Sequence, residues 1–509
     1  MTDEPLPKVN PFLLRNLDTM CPLRLEREFT AARGAVDPVN QSRIRDAFLE
    51  CARTNHAELR RPSLEFFVPP DGLFPEEAAV FRHAARWYLA CFGDRAATVH
   101  LHDCDRPTES PRRGLRIGGW VDLTVIGGSG QRELRQLALR PVGFGEDVLD
   151  LESVRLAVLR LARWTGNEPL RVTHADLVKG TWRDRTIDPA TEVPALAEWF
   201  DARVERLRER IEEPVARPGR DCGTCNHVAR CPAVKGGRGP RPRADLRPEV
   251  ITLSPSSLER WSWCRRLWRN EDLLRIPPSN ESVSPDHGLF VHDLLRMVHE
   301  HGSCQDPAHV EDTLAGYRVE GPGRARDQVA AHVRRCPVGA DTVGHEYDAV
   351  RFHRPPGPLF LGTARIDALW VHDGVLDARD YKTGARYVDR VQDDPKARLQ
   401  AWVLAPMAAA RGLRLRLRYE FLSPEIDDDP EPFEPTPEDL DTIDAELGEI
   451  VRAMWAETAF PGVADVRACA TCRYRSICPD SAAPTEPSWP EVLDDGETGS
   501  PDPAHADGR

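Results

Sequence analysis

The strongest constraint on this chain is a cysteine pattern that occurs twice. Cys222, Cys225 and Cys231 lie in CGTCNHVARCP, and Cys469, Cys472 and Cys478 lie in CATCRYRSICP, so both triplets read C-x2-C-x5-C-P. Each has one further cysteine far upstream, Cys21 in TMCPLRLERE at a separation of 201 residues and Cys264 in SWCRRLWRNE at 205. An internal duplication accounts for the match. The stretches before the lone cysteines agree as well, NPFLLRNLDTM and SPSSLERWSW, and Ser254 is placed to cap a helix carrying Leu258, Trp261 and Cys264. The 509 residues then divide into a first unit at 1–235, a Gly/Pro/Arg linker at 236–250, a second unit at 251–480 and an acidic tail at 481–509 that reads as disordered.

Thirteen cysteines, an odd number without an export signal, argue against a disulfide framework and for metal. Zinc ribbons usually use two close pairs, whereas three cysteines plus one a whole domain away suit a 4Fe-4S cluster stapling the two ends of a fold. Spacing alone does not decide, so two clusters are expected, with Zn2+ as the alternative. Cys51, Cys91, Cys104, Cys304 and Cys336 show no ligand spacing and read as core or surface thiols.

The net charge of -14 is unevenly placed: residues 425–449 carry twelve acids and no base, and residues 480–509 carry eight acids against Arg509, which leaves the remaining body at +5. Solvated charge explains the acidic stretches; competition with nucleic acid for a basic surface is the sharper alternative. No run reaches the roughly 18 apolar residues of a membrane helix, and the N-terminus lacks signal-peptide regions, so no membrane and a cytoplasmic location are expected. Only five of the 68 basic residues are lysines, namely Lys8, Lys179, Lys235, Lys382 and Lys396, which makes each worth inspecting.

Within the second unit, LFLGTARIDALWVHDGVLDARDYKTG holds two strand-like runs around Asp373-Gly374, a strong two-residue hairpin signal. That register sets Asp367 opposite Asp380 on one side of the sheet, with Cβ atoms about 5 Å apart, and Lys382 on the same face. Facing carboxylates repel unless a cation lies between them, and a hard divalent ion with oxygen ligands is the usual answer. Lysine beside it can stabilise phosphate charge or help deprotonate a metal-bound water, which arginine cannot do. A surface hairpin with a plain Asp-Lys salt bridge is the alternative.

The combination G362-TARI-D367 and D380-Y-K382-T-G384 resembles the core of the RecB-like branch of PD-(D/E)XK nucleases, and the three-plus-one cysteines resemble the iron-sulfur staple of AddB-type exonucleases. The resemblance covers residues 254–480. It implies an α/β fold, here two tandem restriction-endonuclease-like domains, each a mixed central sheet flanked by helices and closed by a four-cysteine metal staple. It also implies hydrolysis of DNA phosphodiesters with Mg2+ or Mn2+, in repair, recombination or defence. Carried over by position, His292 in GLFVHDLL is a metal ligand with Asp367 and Asp380, His299 and His301 being rivals; Glu346 fits the preceding glutamate, with Asp348 as a substitute; Gln400 fits the glutamine of a substrate-contacting helix. Leu404 replaces the tyrosine of that motif, and Pro406 is expected to kink or end the helix. The alternating LRLRLRYEFL strand puts Arg414, Arg416 and Arg418 on one face, read as a solvated edge or a phosphate-facing row.

In the first unit, Asp122 stands for Asp367, while A138-L-R140 stands for the D-Y-K triplet and Arg155 for Gln400. That half therefore reads as a degenerate copy that keeps its staple and, with Arg140, Arg155, Arg160 and Arg163, can still meet phosphate. No GxxxxGK[ST] segment occurs, so unwinding would come from a helicase in trans or the DNA would be single-stranded or have free ends. The alternative function is a catalytically silent iron-sulfur protein that binds nucleic acid.

Overall fold

The protein is described by a computed structural model covering residues 6–487, apart from 31–42, 60, 94–96, 100–107, 111–112, 119–120, 140–146, 167, 218, 220–221, 223–224, 226, 228–230, 234–249, 281–285, 317–321, 338, 354–358 and 427. Cys104, Arg140 and almost all of the expected linker and tail lie outside the described residues. The described start of the tail is packed: Asn280 Nδ2 donates to Thr485 and to the Glu486 carbonyl.

The architecture is α/β, with mixed sheets flanked by helices. The first half supplies β1 (Lys8–Val9), β2 (Ala97–Val99), β3 (Thr108–Ser110), β4 (Leu115–Ile117), β5 (Leu123–Gly127), β6 (Arg132–Ala138), β7 (Leu170–Asp176) and β8 (Thr181–Ile187). They form a three-stranded sheet ordered β1-β4-β3 and a five-stranded sheet ordered β2-β5-β6-β7-β8. The second half supplies β9 (Val250–Leu253), β10 (Asp341–His353), β11 (Leu359–His372), β12 (Val375–Lys382) and β13 (Arg414–Phe421), ordered β10-β11-β12-β13 with β9 parallel to β11.

The strands repeat pair by pair. Val9 pairs with Ile117 as Leu253 pairs with Gly362. Antiparallel β5-β6 is followed by parallel β6-β7, just as antiparallel β11-β12 is followed by parallel β12-β13. Each parallel step needs a crossover, and the helices Glu152–Thr165 and Pro395–Ala410 supply it. The halves differ where β11 runs unbroken for 14 residues while its counterpart is split into β4 and β5. The Asp373-Gly374 turn takes φ of +50° and +71°, as a two-residue hairpin requires.

The two halves are interlocked rather than joined by a linker alone. Ile276 and Tyr474 of the second half are buried in the first half's cluster of Phe48, Phe81 and Tyr88, with Cys472 packed against it. Conversely, Cys222, Cys225 and Cys231 pack against Val250, Leu359 and Leu361. Glu76, fully buried, accepts an ion pair from Arg269 at 2.9 Å across the same junction. Each cysteine quartet thus leans on the other half.

The acidic stretch at 425–449 is part of the fold. Phe433 bridges to Leu417, and Glu434 pairs with both Arg414 and Arg416, the former at 3.0 Å. Arg418 reaches Asp377 at 3.1 Å. The arginine row lies on the edge strand with Arg414 exposed, as a solvated edge would, and acids from the chain itself meet it.

Candidate functional site

The hairpin ladder pairs His372 with Val375 and continues to Ala368 with Arg379, one step short of Asp367 and Asp380. Beyond that point side chains take over. Asp367 Oδ2 accepts the Tyr381 backbone N–H at 2.6 Å, and its Oδ1 lies 3.3 Å from His292 Nδ1, on the helix Asp286–His301. On the other side β10 brings Glu346 abreast of Asp367, between the pairs His345–Ala368 and Tyr347–Ile366. Glu346 holds φ at +47°, a left-handed backbone that costs a non-glycine residue on the order of 1–3 kcal/mol. One ligand atom each from His292, Glu346 and Asp367 lies within 4.8 Å of the other two.

Asp380 faces a different set. Its Oδ1 is 2.7 Å from Lys382 Nζ, and its Oδ2 accepts from Gln400 Nε2 at 3.2 Å. The hairpin register carries Asp367 and Asp380 to opposite positions, as counted from the turn, and from there each carboxylate also takes partners of its own. The Lys382 ammonium also sits 4.4 Å from the Tyr419 ring centroid. Gln400 is aimed by its helix, which begins at the Asp394 cap; Asp394 Oδ2 collects the hydroxyls of Tyr387 and Tyr419 at 3.0 and 2.9 Å. That helix comes close to β11 because Gly362 has no side chain, since a Cβ there would lie 2.5 Å from the Trp402 ring. Leu404 is buried in the core and contacts no open surface. The helix does not end at Pro406 but runs on to Ala410.

Burial, then the charge of Asp380, pushes the Asp367 carboxyl up, and burial, then Asp367, does the same to Glu346. For His292, burial works against the charged form, but the hydrogen bond and charge of Asp367, with Asp380 and Glu346 behind it, raise it on balance. Lys382 is likewise raised, burial being outweighed by Asp380. Burial leads at the two acids, and the acids' charge outweighs burial at His292 and Lys382.

Of the alternatives, Asp348 pairs with Arg365 at 3.1 Å, and His301 is exposed and bonded to the Met297 carbonyl. His299 lies two helical turns from His292 in another group, with Cys304, His332 and Cys336. Cys304 is a core thiol and Cys336 packs against the same cluster, as expected, and both also stand beside His299 and His332, a juxtaposition that no familiar spacing announces.

Each cysteine quartet lines one cavity. Cys21, Cys222, Cys225 and Cys231 surround a space of about 200 Å3 together with Arg24, Arg27 and His227. Cys264, Cys469, Cys472 and Cys478 surround about 240 Å3. Backbone N–H groups of Arg217 and Gly219 point at the sulfurs of Cys21 and Cys222, at 3.2 and 3.4 Å. Burial pushes the Cys222 and Cys478 thiols up to about 11.

In the first half, Asp122 Oδ2 accepts from the Leu137 N–H at 2.7 Å, as Asp367 does from Tyr381. The ladder pairs Leu123 with Arg135, so Asp380 corresponds to Gln136 and Lys382 to Ala138. The alignment of Ala138 and Arg140 with Asp380 and Lys382 is therefore off by two residues, because it follows RPVG, which merely imitates KTG, and not the hairpin register. Arg155 is turned inward, to the Leu149 carbonyl and over Trp199 at 5.0 Å.

Residues 252–479 match the family model described as the PD-(D/E)XK nuclease superfamily. The second half is a PD-(D/E)XK superfamily domain. No curated protein matches the chain. A solved structure titled "Crystal structure of SSO0001" aligns with 47% of this chain and 90% of its own length at 12% identity and a TM-score of 0.24, too slight a likeness to carry an argument. The superfamily uses divalent metals, and the acid cluster of this domain fits that chemistry: oxygen and imidazole donors converge, and burial and mutual repulsion disfavour their shared negative charge. Among the described residues no helix is long and apolar enough to cross a membrane.

Proposed function

We propose that the chain is a RecB-like, Mg2+- or Mn2+-dependent deoxyribonuclease with a single working site in its second half, acting as an exonuclease in DNA repair, recombination or defence. The observation that carries this reading is the convergence of His292, Glu346 and Asp367 beside the Asp380–Lys382 pair. His292, Asp367 and Asp380, with Glu346, would hold the ion, which when bound supplies Lewis acidity at a phosphoryl oxygen and an acidified water. Asp380 fixes the Lys382 ammonium where charge develops on phosphate, and Gln400 keeps Asp380 in place. The substrate is DNA that is single-stranded or has free ends, with any unwinding supplied in trans.

The cysteine quartets hold 4Fe-4S clusters of the AddB type. Support comes from the cavities, which are roomier than one ion needs, and from the N–H groups aimed at sulfur. Residues 1–235 and 251–480 are two copies of one domain, the first without catalysis. The test is cleavage of end-labelled single-stranded and duplex DNA with and without Mg2+ or Mn2+. Metal-dependent loss of label is expected from the natural chain and none from Asp380→Ala, with DNA binding retained. Binding without cleavage by the natural chain would favour the silent binding protein instead.

A further inference from the structure

Outside the acid cluster, four side chains that no sequence motif links meet at the ends of two helices. His299 lies near the end of the helix Asp286–His301, and Cys304 follows it by five residues; His332 lies in the last turn of the helix Pro322–Val333, and Cys336 follows by one further turn, its N–H bonded to the His332 carbonyl at 2.9 Å. One ligand atom from each lies within 4.8 Å of the other three. Cys304 and His332 are buried; His299 and Cys336 are partly so.

We infer that His299, Cys304, His332 and Cys336 form a closed, tetrahedral Zn2+ site that fixes the helix carrying His292. Two imidazoles and two thiols are a donor set that favours zinc over the hard ions of the acid cluster. His299 Nε2 and His332 Nε2 already stand 2.8 Å apart, so one of them must hold a proton between two lone pairs that a cation would take over. The far side of His332 is set for that role. Its Nδ1 donates to Glu420 Oε1 at 2.7 Å, and Glu420 in turn takes Arg379 at 3.0 Å, an arrangement that locks the tautomer with Nε2 free to coordinate. Both helices present their C-terminal ends, the negative end of the dipole, to the same point.

The surroundings are aromatic. Trp370 stacks on His332 at 6.4 Å, and His345 stacks on His299 at 5.1 Å. The ring of Tyr381, between Asp380 and Lys382 in sequence, meets His332 at 5.3 Å and His292 at 5.9 Å. An ion here holds His299, two turns along one helix from His292, and so sets the rotation of that helix over Asp367.

The first half supplies an internal control. His56 lies 243 residues before His299, Tyr88 lies 244 before His332, and Phe92 lies 244 before Cys336. There the same positions close into a metal-free contact: His56 Nε2 bonds the Tyr88 hydroxyl at 2.7 Å, and the Arg135 guanidinium covers Phe92 at 4.1 Å. The first half keeps the imidazole at His56 but has Tyr88 and Phe92 where the second half has His332 and Cys336.

The test is the metal content of the full chain, purified anaerobically, beside Cys336→Ser and His299→Gln. Each variant should contain one zinc per chain fewer than the natural protein, with iron unchanged, and this difference holds whatever occupies the cysteine quartets. Equal zinc in all three proteins, or a Cys304–Cys336 disulfide in the natural chain, overturns the assignment. Should the variants fail to fold, zinc K-edge absorption of the natural protein decides. Nitrogen scatterers at about 2.0 Å beside sulfur at about 2.3 Å are expected; no zinc signal, or sulfur alone, contradicts the site.

Discussion

Asp122 and Asp367 hold the same place in the two halves, and each accepts the backbone N–H that the hairpin ladder leaves open, from Leu137 and Tyr381 respectively. What surrounds them differs. Asp122 is buried and neutralised by Arg45, with Gln136 and Ala138 on the neighbouring strand. Asp367 is met by His292, Glu346 and Asp380, and the only nearby ammonium, among the described residues that touch this cluster, is committed to Asp380. One carboxylate is thus met by a permanently charged guanidinium and the other by a titratable imidazole and two further acids. The hydrogen bond to the first aspartate belongs to the architecture of the fold, and the chemistry resides in the residues placed around it.

The comparison can be broken most sharply at the lysine. Lys382→Arg preserves the charge but replaces a compact ammonium with a planar fork, and DNA cleavage should fall on the order of 10²–10³-fold in a single-turnover assay. Installing Gln136→Asp and Ala138→Lys in an Asp380→Ala chain should restore nothing, since Arg45 already neutralises Asp122; recovered cleavage would mean that the first half was only two residues from activity. Next in size is the junction. Arg269→Ala leaves the Glu76 carboxylate buried without that partner and should cost about 3–5 kcal/mol by denaturant titration. Cooperative unfolding of both halves together would accompany it, whereas an unchanged midpoint would show that they stand independently.

Gly362→Ala drives a methyl into Trp402 and should cost about 1–3 kcal/mol, while the same change at Gly128 in the first half, where a Cβ meets nothing within 4 Å, should be nearly silent. The smallest effect belongs to the arginine row. Glu434→Ala frees Arg414 and Arg416, and DNA affinity at low salt should rise by less than about tenfold, in line with exposed ion pairs of up to about 1 kcal/mol.

Much of this was legible in the sequence because it rests on local rules. Asp373-Gly374 fixes a two-residue turn, and from that turn the register at Asp367 and Asp380 follows by counting. The repeated C-x2-C-x5-C-P spacing exposes the duplication. Motif matching failed in the first half, where RPVG resembles KTG but the hairpin register places Gln136 and Ala138, not Ala138 and Arg140, opposite Asp122 and beyond. The His299–Cys336 group was hidden for another reason: its members lie on two helix ends and the turns that follow them, and only packing brings them together. Glu434 on the arginine row was equally invisible, because that contact is made by a segment whose composition reads as solvated.

The most direct test of the account is a pair of conservative substitutions at the matched positions, Asp367→Asn and Asp122→Asn, each in the full chain and assayed for Mn2+-dependent cleavage of labelled DNA. Asp367→Asn is expected to abolish cleavage with fold and iron content unchanged, and Asp122→Asn to cleave at close to the natural rate. Undiminished cleavage by Asp367→Asn, or loss of cleavage confined to Asp122→Asn, would place the working site in the other half.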